Sequence, residues 1–193
     1  MQNLLTGKTR LAGFEKEWFV VTLDKLCSIS TGKKDVNEGN PSGKYPFFTC
    51  AREYTYSDNY SYDMEAILIA GNADVGHCKY YNGKFEAYQR TYILSNFVNV
   101  DATFLFLFLS YYFKNYVESL KQIGAMSYIK LPMLKEYFVK LPDIKEQGVI
   151  ADILIKADLE IKKLEEKLRI IKDQKKYLLN SLIAGKIRTP ENF

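Results

Sequence analysis

Apolar positions in the C-terminal quarter of the chain recur with a four-three spacing. From Ile150 the series runs through Leu154, Ala157, Ile161, Leu164, Leu168, Ile171, Lys175, Leu178 and Leu182, nine of the ten positions being apolar. A seam sustained over more than four heptads is the pattern of a helix packed on another helix. Pro142 with Asp143 marks its start, Glu146 favours its first turn, and Gly185 followed by Pro190 marks its stop. A helix over residues 144–184 is about 60 Å long. A body of about 140 residues has a radius of gyration near 14 Å and does not cover that length. The seam therefore calls for a partner helix, the alternative being a helix laid on its own domain. Lys175 interrupts the seam as a register or partner-selecting position, or as a local exit from pairing.

Residues 15–140 follow a different pattern. Short β-branched and aromatic stretches, Trp18–Val21, Tyr45–Cys50, Ala66–Ala70, Cys78–Tyr81, Phe85–Ala87 and Thr91–Leu94, alternate with turn signals. The turns are Thr31-Gly32, Glu38–Gly43, Gly71-Asn72, Asp74–Gly76 and Asn82-Gly83. Asn82-Gly83, between Tyr80-Tyr81 and Lys84-Phe85, predicts a hairpin with a type I′ turn. Residues 102–120 fit a helix: Asp101 can cap it, Phe104, Leu105, Phe108, Leu109, Tyr112, Tyr116 and Leu120 recur at helical spacing, and Gly124 ends it. The predicted fold class is α+β, a mixed, mostly antiparallel-sheet domain followed by a long C-terminal coiled-coil helix.

The 193 residues are 47% hydrophobic, enough for a real core, which excludes a disordered chain. The longest apolar run, Phe104–Leu109, is far short of the roughly 20 residues of a membrane span, and Met1–Leu5 has no signal-peptide pattern. Three widely spaced cysteines read as reduced thiols of a cytoplasmic protein. The net charge of +4 is unevenly spread: residues 145–193 hold eleven Lys+Arg and eight Asp+Glu, residues 1–144 sixteen and fifteen. A body so nearly neutral can bind nucleic acid only by gathering its cations on one face.

Several chemistries lack their residues. His77-Cys78 has no second close pair, so no zinc site is built. Adjacent Cys and His on a strand point apart, which argues against nucleophilic catalysis. Gly32-Lys33-Lys34 lacks the upstream glycine and the hydroxyl of a phosphate-binding loop. Pro142-Asp143 with Glu165-Glu166-Lys167 imitates a metal-dependent nuclease pattern, but along one helix these groups lie about 30 Å apart and cannot share an ion.

Leu141-Pro142-Asp143-Ile144-Lys145-Glu146-Gln147 resembles the proline-acid-Glu-Gln signature that opens the long helix in specificity (S) subunits of type I restriction–modification enzymes. The stretch Ile150 to Lys176-Tyr177-Leu178-Leu179 is similar to that helix. Thr22 to Gly32-Lys33, Tyr45-Pro46-Phe47-Phe48-Thr49, Ile67-Leu68-Ile69-Ala70-Gly71-Asn72 with Gly76, and Tyr81-Asn82-Gly83-Lys84-Phe85 resemble parts of a target recognition domain. A complete S subunit has two such domains, each followed by a long helix, so this chain resembles a half-length form. A repeat agrees: Leu4-Leu5-Thr6-Gly7-Lys8-Thr9-Arg10 matches Leu182-Ile183-Ala184-Gly185-Lys186-Ile187-Arg188, with Phe14 and Phe193 beyond them. Its period of about 178 residues is one domain-plus-helix module and not a solenoid repeat. The resulting division is a preceding helix tail over 1–14, a recognition domain over 15–141, a spacer and dimerisation helix over 142–184, and a tail over 185–193.

The resemblance implies a non-catalytic subunit without a cofactor of its own. It implies a chain that reads half of a bipartite site in double-stranded DNA. It also implies docking of modification subunits, which would use S-adenosylmethionine, and of restriction subunits, with no membrane role. Phosphate contacts are assigned to Lys33, Lys34 and Lys44, and base contacts to Arg52, Asn72, His77 and Arg90. Tyr54, Tyr56 and Tyr128 supply hydroxyls, and Lys121 and Ser127 flank Gly124 within reach of backbone. Pairing through Ile150, Leu154, Ala157, Ile161, Leu164, Leu168, Ile171, Leu178 and Leu182 makes a homodimer or a pair with another S half. Two other readings stay open: the C-terminal half of a longer S subunit, and a coiled-coil scaffold without DNA readout.

Overall fold

The computed structural model describes residues 2–122 and 128–188, with the backbone alone at 2 and 120–122. The chain divides into two compact units, Met1–Ala151 and Asp152–Phe193. In the first unit, α1 (Gln2–Leu5) precedes β1 (Phe19–Thr22), β2 (Ser28–Thr31), β3 (Tyr45–Phe48), β4 (Thr55–Ser57), β5 (Tyr62–Ala70), β6 (Cys78–Ala87) and β7 (Thr91–Ser95). Then come α2 (Ala102–Phe108), a π-helical turn over Leu109–Phe113, α3 (Lys114–Gln122), α4 (Leu131–Lys135), β8 (Phe138–Leu141) and α5 (Ile144–Ile183).

Six strands form one sheet in the order β2-β7-β5-β6-β3-β4, and β1 pairs with β8 in a second. Every pairing is antiparallel except that of β3 with β6. One face of β5 and its neighbours closes over Phe48, Ala66, Leu68, Phe85, Ala87 and Ile93. Helix α2 packs on β5 and β6. Asp101 caps it, accepting the Phe104 amide at 2.8 Å, and Phe104, Leu105, Leu109, Phe113 and Val117 carry the buried stripe into α3. The helix expected over 102–120 is thus present, widened at its centre by the π turn. Its expected end at Gly124 lies outside the described residues.

The expected hairpin at Asn82-Gly83 does not form. Residues 78–87 are one strand, Asn82 pairs with Glu65 and Gly83 with Met64, and the register runs unbroken from Tyr62–Phe85 to Ile69–Cys78. Gly83 takes φ +135° within the strand. The chain reverses instead between Ala70 and Cys78, where the Ala70 amide donates to the His77 carbonyl and the Gly76 amide to the Ala70 carbonyl, both at 2.9 Å. The hydrophobic register of β5 against β6 buries Ala66, Leu68 and Phe85 together, and that burial outweighs a local turn preference. Three short strands, β2, β4 and β8, are additional to those expected from the sequence.

The Pro-Asp-x-x-Glu-Gln stretch is a structural hub. The Asp143 carboxylate accepts the amides of Lys145 and Glu146 at 3.1 and 3.2 Å and so caps α5. Those amide bonds, with Lys16 nearby, hold its carboxyl below the usual range. Glu146, 1% exposed, takes the Arg10 guanidinium in a fork at 3.0 and 2.9 Å. Gln147, fully buried, accepts the Asp101 amide at 2.9 Å and donates to the Pro142 carbonyl at 2.8 Å. One helical turn thereby ties together the N-terminal segment, the entry to α2 and the end of β8. This is why Ile144–Ala151 belong to the first unit.

Candidate nucleic-acid interface

Four loops of the first unit are laced together by backbone and thiol hydrogen bonds. The Arg90 carbonyl accepts the Gly71 amide at 3.0 Å and the Cys50 thiol at 3.2 Å. The Ile129 amide donates to the Gly71 carbonyl at 2.8 Å, and the Tyr92 hydroxyl to the Ile129 carbonyl at 3.0 Å. The loop after β2 joins them: the Gly32 amide donates to Thr91 at 3.1 Å and the Gln89 amide to Lys34 at 2.9 Å. At Gly32 a Cβ atom would stand 2.2 Å from the Ala87 carbonyl oxygen, so only glycine lets the loop after β2 pass this close to the end of β6.

Around this lacing lies a concavity of about 590 Å³, lined by Thr31, Gly71, Gln89, Arg90, Tyr92 and Tyr128 to Leu131. Arg90 and Tyr128, far apart in sequence, share its wall, and Lys33 sits exposed beside Gly32. A second group gathers at the reversal between β5 and β6, where His77 Nδ1 lies 3.9 Å from Asp74 and Arg52 and Lys79 are near enough to act on the imidazole. Partial burial holds His77 below its ordinary pKa against the pull of Asp74. Asn72 is half-buried in the same reversal. Lys79 donates to the Ala51 carbonyl at 2.7 Å, which ties the Arg52 loop to β6.

The remaining residues lie elsewhere or are engaged. Tyr54 and Tyr56, both exposed, meet edge to face at 5.5 Å on β4 and its approach. Lys44 stands over the Tyr45 ring at 5.5 Å. Lys34 is drawn to Glu38 at 2.9 Å inside a capped turn, where Asp35 and Glu38 satisfy each other's backbone. Ser127 and the Lys121 side chain lie outside the described residues. Sequence reasoning missed Gln89, whose side-chain amide donates to Asp35 at 3.2 Å, and Lys130, over the Tyr128 ring at 5.8 Å. An adjacent Gln-Arg pair after a strand was the available signal, since Gln suits adenine as Arg suits guanine.

The heptad seam lies on one continuous helix, α5, whose head belongs to the first unit and whose remainder forms the second. Ile150 and Leu154 at its head are buried, at 1% and 3% exposure. From Ile161 onward the seam is open: Ile161, Leu164, Leu168, Ile171, Leu178 and Leu182 are each 42–59% exposed, and Ala157 is exposed too. Cys27, Cys50 and Cys78 are buried free thiols. Among the described residues no group of three or more His, Cys, Asp or Glu side chains is placed to hold a metal ion. No helix among them is long and apolar enough to cross a membrane.

Fold and surface together define a loop-presenting α+β domain continued by a long amphipathic helix. The family described as type I restriction modification DNA specificity domain matches residues 15–172, and the chain belongs to that family. It is 32% identical over 175 residues to the type I restriction enzyme EcoDI specificity subunit of Escherichia coli, covering 89% of this chain and 39% of that protein. It is 34% identical over 128 residues to the MjaVIII specificity subunit of Methanocaldococcus jannaschii, covering 63% of this chain and 29% of that protein. The S subunit of a type I restriction–modification system from M. genitalium shares the fold. Its TM-score is 0.71 at 18% identity, over 90% of this chain and 50% of that one. The chain thus spans half or less of the length of these relatives.

Proposed function

We propose that this chain is a DNA-specificity module of a type I restriction–modification complex, reading one half of a bipartite target. The observation that carries this reading is the laced loop cluster. It brings Arg90, Gln89, Lys130 and Tyr128 to the wall of one concavity, with Lys33 exposed on the adjoining loop, on a body whose net charge is close to zero. Rigidly positioned amide and guanidinium groups read base edges, and flanking cations neutralise phosphates. The chain does no chemistry itself. It docks modification subunits, to which S-adenosylmethionine belongs, and restriction subunits, and it works in the cytoplasm.

The open seam supports a second element of the reading. Two such helices packed antiparallel bury Ile161 to Leu182 of each and carry the two bodies to opposite ends. The helices belong either to two copies of this chain or to two halves of a longer one, as the half-length match to relatives favours. A homodimer of this kind reads a palindromic target with a gap of fixed length. Mapping methylated bases in cells that carry the chain with its modification subunit tests the function. A bipartite methylated motif is expected, and an unchanged methylome overturns the reading. Light scattering at micromolar concentration tests the homodimer: a monomer leaves pairing with another S half. Salt-dependent DNA binding separates this function from a scaffold role, because phosphate contacts release counterions.

A further inference from the structure

Two distant stretches of the chain adopt one backbone form. Leu4–Arg10 and Leu182–Arg188 share the order Leu, aliphatic, small residue, Gly, Lys, variable, Arg. Each ends a helix with a glycine at positive φ, +71° at Gly7 and +66° at Gly185. The Gly7 amide donates to the Leu4 carbonyl at 3.3 Å, and the Gly185 amide to that of Leu182 at 3.1 Å. One turn further, the Thr9 amide donates to Asn3 at 3.1 Å and the Ile187 amide to Ser181 at 3.2 Å.

Their surroundings differ. Leu5 is fully buried in the first unit, and a Cβ atom on Gly7 would touch the Trp18 indole at 3.2 Å. Arg10 forks onto buried Glu146, donates to the carbonyls of Phe14 and Lys16 at 2.8 and 2.9 Å, and stands 6.0 Å from the centre of the Trp18 ring. The corresponding Ile183 is 78% exposed, and Arg188 is exposed as well. The body therefore has a seat for this shape, filled by one copy of it, while the other copy is displayed to solvent.

We propose that Leu182–Arg188 of a second copy of this chain displaces Leu4–Arg10 from its seat. Ile183 takes the place of Leu5, Gly185 turns against Trp18, and Arg188 forks onto Glu146. The N-terminal segment is then an exchangeable plug, and association of two copies is an exchange of like for like. This contact is independent of DNA readout, and the test below needs no paired helices, so its failure leaves both of those readings standing.

A fluorescent peptide of residues 179–188 is titrated against the full chain and followed by anisotropy. Removing the resident competitor with Arg10→Ala is expected to tighten binding about tenfold, since apparent affinity scales with the fraction of open seats. Arg188→Ala in the peptide, or Glu146→Gln in the chain, is expected to abolish it. Hydrogen exchange on the parent chain gives a readout that no variant's folding affects. Excess peptide is expected to speed exchange at the Gly7 and Thr9 amides, while the Arg188→Ala peptide leaves it unchanged. A peptide that binds equally with and without Arg188, or that leaves Gly7 and Thr9 exchange unchanged, overturns the proposal.

Discussion

Arg90 and Lys33 flank the same loops, and the proposed DNA reading gives them different tasks that substitution separates. Arg90→Ala is expected to relax base preference at one target position, at a cost of about 1–3 kcal/mol. Lys33→Ala is expected to weaken all sequences alike and to lower the slope of log K against log salt by about 1. Competition binding with single-base variants of the methylated motif, repeated across salt concentrations, measures both. His77 adds a pH dependence. Burial depresses its pKa, so the unfolded chain takes up the proton first. Stability is then complete above the ordinary histidine value of 6.5 and declines as pH falls below it. Denaturation midpoints are expected to drop as pH falls through about 6.5, and less so in His77→Gln. Burial also pushes the Cys27 and Cys78 thiols up to about 12. Both are expected to resist alkylation at pH 8 until the chain unfolds, as mass spectrometry of labelled peptides will report.

At the scale of elements, the hub at the head of α5 and the open seam behind it make opposite demands. Gln147→Leu strands the half-buried Asp101 amide and the buried Pro142 carbonyl, each left without this partner. A loss of about 2–4 kcal/mol is expected by denaturant titration, with helix content kept. Leu164→Asp with Ile171→Asp places charge on exposed positions of α5, so the fold is expected to stand while self-association is lost in light scattering. The long helix was readable because its signal is local: a heptad spacing, an Asp143 cap and a Gly185 stop all lie within the element. The short strand β2, Ser28-Ile29-Ser30-Thr31, carries no such signal and exists because β7 pairs with it. Asn82-Gly83 shows the converse, a strong local turn signal overruled by eight residue pairs of β5 with β6.

For the whole molecule, the repeat and the half-length match to relatives mark out one domain-plus-helix module. If antiparallel helices set the distance between two bodies, seven residues inserted into α5 lengthen each helix by about 10 Å. The gap in the methylated motif is then expected to widen by about three base pairs, at 3.4 Å each, with the half-sites unchanged. An unaltered gap would separate helix length from target spacing.

By itself the sequence determined what depends on neighbours along the chain: the seam, the caps, the helix over 102–120, the twin helix tails and the motifs that carry the family resemblance. Hydrophobic period and capping chemistry act within a few residues, so they are visible in one dimension. Only the tertiary structure decided which residues stand together. Arg90 meets Tyr128 because Gly71 bonds both loops, and Arg10 crosses to Glu146. Such meetings follow from the closure of a sheet whose strands pair out of chain order, and no local spacing encodes them.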